Sequence, residues 1–580
     1  MMSRTPRTSM LLIGLVLLFA TQLRSESEQV CTSSSCSKDV DDLRYLYDKL
    51  TGAVQPDLLP FDEWNFTLPG RLPVYFPIEA ETKNYVRRVQ NVVFSPVRPT
   101  PFETTCRLAA VSDDALETVL DIDSSSVWND DFLNFASGNR IRMGSNPLSH
   151  RYGGHQFGHW AGQLGDGRAV LLGEYQNRKG EHWELNLKGS GPTPYSRRGD
   201  GRAVLRSSIR EFLASEAMYY LGIPTSRAAS LVICDDEVIR AELDDSPPKL
   251  EKTATVIRLA ESWFRIGSFQ ILAEQEEFAL IRSLADFIIE HHFSAISQNS
   301  SDKYLAFFEK VVENVAEVTA KWMAVGFAHG VWNSDNTNIL SITIDYGPYA
   351  FMDRYDPGFV PNTSDDEGRY SYENQPQVGL FNLNQLHAAL ASLISDVKKS
   401  QRILNNYFQI YERKYRYLMN QKLGFEGSDE KDEQLHEKLL EMMHAVGADF
   451  TMTFRELSEI ALTDLAKENF PEDFWSLPKV VELGDWSEWL KSYIARLLRG
   501  GSYSDTARQK RMQEVNPRYV LRNYMAHRAI TQANNGHYSE IDFLLSVLKK
   551  PFERQEAADA RDYARRPPSW AAKLKVSCSS

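Results

Sequence analysis

Between residues 326 and 347 the chain places His329, Asp335 and Asn336 in a polar loop, continues through an apolar, β-branched run over 339–344, and then presents Asp345 in an Asp-Tyr-Gly turn. Asn336 and Asp345 are oxygen donors of the type that hold Mg²⁺ against nucleotide phosphates. Far upstream, Lys188 closes the alternating run 183–188, and Glu211 stands early in the next helical segment. A strand lysine paired with a glutamate of the following helix is an arrangement that positions phosphates. Gly165, Gly167 and Arg168 can bring backbone N–H groups to a phosphate, because glycine permits positive φ and close approach. Asp200 and Gly201 belong to a second glycine-rich loop whose Arg197, Arg198, Arg202 and Arg206 give an acidic protein a local anion site.

The order of these parts is that of protein kinases, in which H-R-D-x-x-x-x-N precedes D-F-G. With His329-Gly330 laid on the His-Arg pair and Asn336 on the asparagine, the base position falls on Val331, which cannot accept a proton. The metal ligands are retained and the usual base is not. That combination counts against ordinary phosphoryl transfer.

Positioning such a site requires a strand-rich part followed by a helical one. Residues 168–174 and 182–188 read as strands, with Asp166-Gly167 as a hairpin signal before the first. Residues 204–220 carry apolar positions at helical spacing, and Gly222-Ile223-Pro224 stops that helix. Further strands are expected over 230–241 and 253–260, around a turn at 244–252. Helices are expected over 276–297, 304–325, 384–419, 433–446, 516–534 and 540–549. The long polar and aromatic loop at 353–377 is of a length that is commonly functional.

The formal charge of -13 excludes the basic footprint of a general nucleic-acid binder. Arg4 and Arg7 precede an apolar segment over 10–20 that is too short to span a membrane. It reads as a secretory signal peptide, with a mitochondrial presequence as the alternative because Arg4, Arg7 and Arg24 precede the first acidic residue, Glu26. The chain is thus divided into a targeting leader (1–25), a flexible and extended segment (26–106), a strand-rich part (107–260), a helical part with the metal site (261–550) and a tail (551–580). No second apolar run is long enough for a membrane span. Sequons at Asn65, Asn299 and Asn362 are compatible with glycosylation. The five cysteines, Cys31, Cys36, Cys106, Cys234 and Cys578, include no CxxC pair, which argues against zinc, and Cys31 with Cys36 could pair locally.

The runs Gly154-His155-Gln156-Phe157-Gly158, Gly162-Gln163-Leu164-Gly165-Asp166-Gly167-Arg168, Leu187-Lys188-Gly189-Ser190-Gly191 and Gly199-Asp200-Gly201-Arg202-Ala203-Val204-Leu205-Arg206 resemble the selenoprotein O family. So do Asp345-Tyr346-Gly347-Pro348, Gly368-Arg369-Tyr370-Ser371, Asn516-Pro517-Arg518-Tyr519-Val520-Leu521-Arg522-Asn523-Tyr524 and the Cys578-Ser579-Ser580 end, so that the likeness covers about residues 60–580. The resemblance implies an α+β, two-lobed, protein-kinase-like (pseudokinase) fold with a strand-rich N-lobe and a helical C-lobe. It implies protein adenylyltransferase activity: ATP bound in an orientation reversed from that of kinases, AMP transferred to Ser, Thr or Tyr hydroxyls of protein substrates, and Mg²⁺ required, with Mn²⁺ as an alternative.

Carried over by motif, Gly165, Gly167, Arg168, Lys188, Asp200, Gly201, Arg258, Arg265 and Asp345 would bind the nucleotide. Asn336 and Asp345 would bind the metal, Asp335 would accept the proton, and Lys188 with Glu211 would form the ion pair. Guanidinium forks suit phosphate oxygens. If Arg258, Arg265 and Lys188 hold the terminal phosphates as a leaving pyrophosphate, the α-phosphorus is left facing the hydroxyl. Cys578 stands where some members carry selenocysteine, which suggests a redox partner. The rival readings are a kinase moving the γ-phosphoryl group and a non-catalytic nucleotide-binding scaffold.

Overall fold

The computed structural model describes residues 58–241, 247–499 and 503–577. The leader, Cys31, Cys36 and Cys578 lie outside the described residues. The architecture is mixed α/β, an antiparallel sheet followed by many helices. The strands that matter are β1 (Phe94–Pro96), β2 (Cys106–Val111), β3 (Leu148–His150), β4 (Gly153–Gln156), β5 (His159–Gln163), β6 (Ala169–Gln176), β7 (His182–Lys188), β8 (Ala203–Val204), β9 (Arg227–Arg240) and β10 (Lys249–Ala260). The main sheet runs β1-β3-β6-β7-β10-β9-β2, with β8 also on β10, and β4 with β5 forms a separate two-stranded sheet.

Period-two alternation in β7 explains how one strand serves both core and site. Leu185 and Leu187 bury one face in an apolar cluster with Phe61, Trp64, Phe135 and Tyr175, against which Trp183 packs. Glu184, Asn186 and Lys188 take the other face. The register sets Arg258 opposite Asn186 and Val256 opposite Lys188, so the sheet itself brings the arginine beside the lysine. The helix Leu205–Tyr220 packs through Leu205, Ile209, Phe212, Leu213 and Met218 into the second core cluster and places Glu211 toward Lys188. It ends at Leu221, and Gly222 turns the chain with φ 73°.

Several expectations are corrected. Residues 59–106 are not a flexible segment, because Trp64 is fully buried and Phe61, Phe66 and Val97 belong to the sheet core. Asp166-Gly167 is not a hairpin turn: the Asp166 carbonyl accepts from Ser149 Oγ (2.9 Å) and Thr193 Oγ1 (2.7 Å), and β6 pairs with β3 and β7 instead. The hairpin is β4–β5, turning at Phe157-Gly158 with φ of 49° and 84°.

The single helix expected over 384–419 is three, Gln375–Ala389, Val397–Asn405 and Tyr407–Lys422, because Asp396 caps a new start by accepting from Lys399 N. A helix at Ile266–Glu274 precedes Phe278–His292, where a start near 276 was expected. The 339–344 run makes only isolated bridges, since Ser341 turns back on Asn338 with φ 60°. Cys106 and Cys234 face each other across β2 and β9 and form a disulfide.

Candidate active site

The residues singled out above converge on one cleft of about 700 Å³. Gly165, Gly167, Arg168, Lys188, Asp200, Gly201, Glu211, Arg258, Arg265, Asp335, Asn336 and Asp345 all line it. Its centre is a carboxylate shared by three cations. Asp345 Oδ1 lies 2.7 Å from Arg258 Nη1 and 3.4 Å from Lys188 Nζ, and Oδ2 lies 3.1 Å from Arg265 Nη1. Lys188 Nζ reaches Glu211 Oε2 at 2.8 Å, and Arg258 Nη1 reaches Glu211 Oε1 at 3.0 Å.

Burial opposes charge on Asp345, yet Arg265, Lys188 and Arg258 outweigh it and hold the carboxyl well below the usual range. Burial pulls Lys188 down from the ordinary lysine value, with Glu211 working against it. Asp345 also takes a left-handed φ of 55°, which aspartate tolerates better than most residues.

The arginines are held from behind. Arg258 donates to Asn186 Oδ1 at 2.7 Å and lies 4.4 Å from the centre of the Trp263 ring. Arg265 lies 4.3 Å from the Tyr152 ring centre, 3.6 Å from Asp166 Oδ1, and donates to the Asp335 carbonyl at 3.2 Å. Both are 1% exposed, so their position is set by packing before any ligand arrives.

On the facing loop, Ser334–Asn336 is a single 3₁₀ turn. Asn336 donates Nδ2 to the Val331 carbonyl at 2.9 Å, which leaves its Oδ1 as an oxygen donor. Val331 thus serves through its backbone, where a proton acceptor was missing. Burial pushes the Asp335 carboxyl up to about 6, against a hydrogen bond from Gln156 and the charge of Arg265. His329 is an internal strut: buried, its ring nitrogen Nε2 meets the Ile344 carbonyl at 3.1 Å, and burial takes it down to about 4.

The glycine wall is built by close packing. A Cβ on Gly165, which has φ 127°, would sit 2.4 Å from the Tyr195 ring, and one on Gly201, with φ 71°, would sit 2.1 Å from the Gly191 backbone. Asp200 is paired with Arg240 at 2.6 Å, Arg206 with Glu251 at 2.9 Å, and Arg202 stacks 3.8 Å from the Phe102 ring centre. The anion site read from four arginines is therefore reduced to its rim, where Arg197 and Arg198 are exposed.

The sequence reading missed Asn186, Tyr152, Gln156 and the tail. Asn186 was detectable, since it shares the Lys188 face of β7 by simple alternation. The tail was not: Leu574–Ser577 line the cleft, and Val576 accepts from Thr363 N at 3.1 Å. Among the described residues, no cluster of three or more His, Cys, Asp or Glu could cage a metal, and no helix is long and apolar enough to cross a membrane.

A family model described as protein adenylyltransferase SelO matches residues 78–549. A relative from Azoarcus sp. (strain BH72) named protein nucleotidyltransferase YdiU is 42% identical over 510 residues, covering 87% of this chain and 97% of that protein. Proteins of the same name from Pseudomonas fluorescens (strain Pf0-1) and Flavobacterium johnsoniae are 42% identical over 497 residues and 39% over 521, each covered to 98% of its length and covering 86% and 89% of this chain.

Proposed function

Since the chain belongs to the protein adenylyltransferase SelO family, we propose that its cleft transfers AMP from ATP to hydroxyl groups of protein substrates on a two-lobed, kinase-like scaffold. The chain is a nucleotidyltransferase. The observation that carries the finer reading is the shared carboxylate: Lys188, Arg258 and Arg265 converge on Asp345 with their backs fixed by Glu211, Asn186 and Tyr152. Three preset cations suit a leaving pyrophosphate, because donors fixed in advance need no reorganisation when charge develops.

In this reading the terminal phosphates replace Asp345 as partners of those cations, with the nucleotide reversed relative to kinases. Arg168 and the backbone at Gly165, Gly167 and Gly201 line the remaining nucleotide path, and Asp200 keeps Arg240 in place beside it. Asp335 takes the proton of the acceptor Ser, Thr or Tyr hydroxyl. The hydroxyl oxygen bonds to the α-phosphorus, and the bond from that phosphorus to the bridging oxygen breaks as pyrophosphate leaves.

Asn336 and Asp345 fit a divalent ion of the Mg²⁺ type, because one offers a free amide oxygen and the other an ionised carboxylate, and Mg²⁺ is commonly held by one or two such groups plus phosphates. When bound, Mg²⁺ or Mn²⁺ would supply charge stabilisation on the phosphates.

A secretory destination, with the mitochondrion as alternative, goes with this proposal. The Cys106–Cys234 pair suits an oxidising compartment, and Asn65 and Asn299 are exposed as glycan acceptors should be. Asn362 is 2% exposed and donates to the Gly330 carbonyl, so it is unsuited to a glycan. A redox role for Cys578 belongs to the same proposal.

Purified chain with Mg²⁺, a protein acceptor and ATP labelled at either the α or the γ phosphorus tests the reading. Label passing to protein from the α position is expected. Label passing only from the γ position would overturn it in favour of a kinase.

A further inference from the structure

The β4–β5 hairpin stands apart from the main sheet and is fastened to the loop that carries Asp335. His155 N donates to Ser334 Oγ at 2.7 Å, and Phe157 N donates to Tyr370 Oη at 2.9 Å and to Asn333 Oδ1 at 3.3 Å. Ser334 Oγ in turn donates to Gln270 Oε1 at 2.5 Å, and Gln270 Nε2 meets His155 Nδ1 at 2.8 Å. The backbone on both sides of Gln156 is therefore fixed.

From that position Gln156 Nε2 donates to Asp335 Oδ2 at 3.0 Å. The other oxygen, Oδ1, is buried without a hydrogen-bond partner beneath Gly154, where a Cβ would come within 2.5 Å of it. Oδ2 is thus the carboxylate oxygen left to face the cleft, which Gln156 and Asp335 both line.

We infer that Gln156 is a positioning residue for adenylyl transfer: its amide holds the Asp335 carboxylate so that Oδ2 meets the acceptor hydroxyl while Gly154 closes over Oδ1. This rests on the transfer reading above. An amide N–H is the group the role needs, since an ionised carboxylate only accepts. One lone pair of Oδ2 takes that N–H and another remains for the incoming proton. Gln156 touches neither the nucleotide nor the acceptor hydroxyl in this account and acts through the Asp335 carboxylate.

The test compares wild type with Gln156→Leu and Gln156→Glu, each also in an Asp335→Ala background, by transfer of α-labelled AMP to a protein acceptor. Gln156→Leu is expected to lower kcat roughly ten- to hundredfold, the range of a hydrogen bond to a charged group, with KM for ATP unchanged. Gln156→Glu, the same shape with its donor replaced by a charge, is expected to be slower still. In the Asp335→Ala background neither change should reduce the rate further.

A merely packing role predicts the opposite order, with Gln156→Glu close to wild type. That order, or a full further loss in the Asp335→Ala background, would overturn the inference while leaving the transfer reading intact. Wild-type chain that moves no label from α-labelled ATP would overturn both.

Discussion

Arg258 and Arg522 are both guanidiniums buried against aspartates, yet they sit in networks of opposite character. Arg522 forms a closed bidentate pair with Asp449, at 2.8 and 2.9 Å, and a further contact to Asp353 at 2.5 Å. Asp449 also caps the helix Phe450–Glu459 by accepting from Met452 N. Around it, Glu456 accepts from the backbone N–H groups of Trp475, Ser476 and Leu477. Nothing in that network borders the cleft.

Arg258, by contrast, shares a single Asp345 oxygen with Lys188, and Arg265 takes the other. A carboxylate spread over three cations can hand them to a phosphate ligand without leaving any of them unpaired, because Glu211, Asn186 and Asp166 stay behind. Arg522, forked on Asp449 and backed by Asp353 away from the cleft, has no such exchange available. The difference separates a buried ion pair that orders the fold from one that is ready to change partners.

The largest effect that would break this contrast is in the sealed network. Arg522→Ala should cost about 3–5 kcal/mol of unfolding free energy, the usual result of stranding a buried charge, as read by denaturant titration. Lys188→Met should cost no more than about 1 kcal/mol there, since Glu211 keeps Arg258, but should lower transfer by about 10²–10³, the scale for one preorganised electrostatic donor. If both variants lose stability alike, the two networks are not different in kind.

A smaller effect comes from the sheet behind the site. Replacing Cys106 by serine should lower stability by roughly 2–4 kcal/mol with the rate per folded molecule unchanged, checked by thermal unfolding with and without reductant.

A further effect concerns pH. Burial pushes Glu456 up from the ordinary carboxyl value of 4.5 to about 7, against its backbone N–H partners. Its folded value is above its unfolded one, so its contribution is fully present below about 4.5 and is lost as pH rises through 7. Stability should therefore fall as pH rises across that window, and less steeply in Glu456→Gln. The cleft group Asp345 is depressed instead, so its share persists above the ordinary carboxylate range and is lost only in acid.

The sequence made much of the cleft legible because its parts are local signals. Alternation placed Lys188 on a strand, helical spacing placed Glu211 on the next helix, and the polar loop with Asp-Tyr-Gly announced Asn336 and Asp345. What it did not show depends on distance. The long 516–524 motif contains Arg522, and nothing local distinguishes that structural arginine from Arg258; only the three-dimensional partners do. The basic loop failed as an anion site because Asp200, Arg206 and Arg202 find partners 40, 45 and 100 residues away in sequence.

In the fold, the 384–419 stretch kept its helical period through two breaks, because periodicity does not register an aspartate that caps a fresh start. The aromatic residues 61–66 were read as part of a wrapping chain, since the prolines of the surrounding stretch, such as Pro60 and Pro69, exclude long helices but do not exclude burial.

The most direct measurement is a structure of the chain with Mg²⁺ and a non-hydrolysable ATP analogue. The account predicts the β and γ phosphates on Lys188, Arg258 and Arg265, Asp345 released from at least one of them, and the α-phosphate toward Asp335. Finding the γ-phosphate toward Asp335, with Asp345 still sharing all three cations, would contradict it.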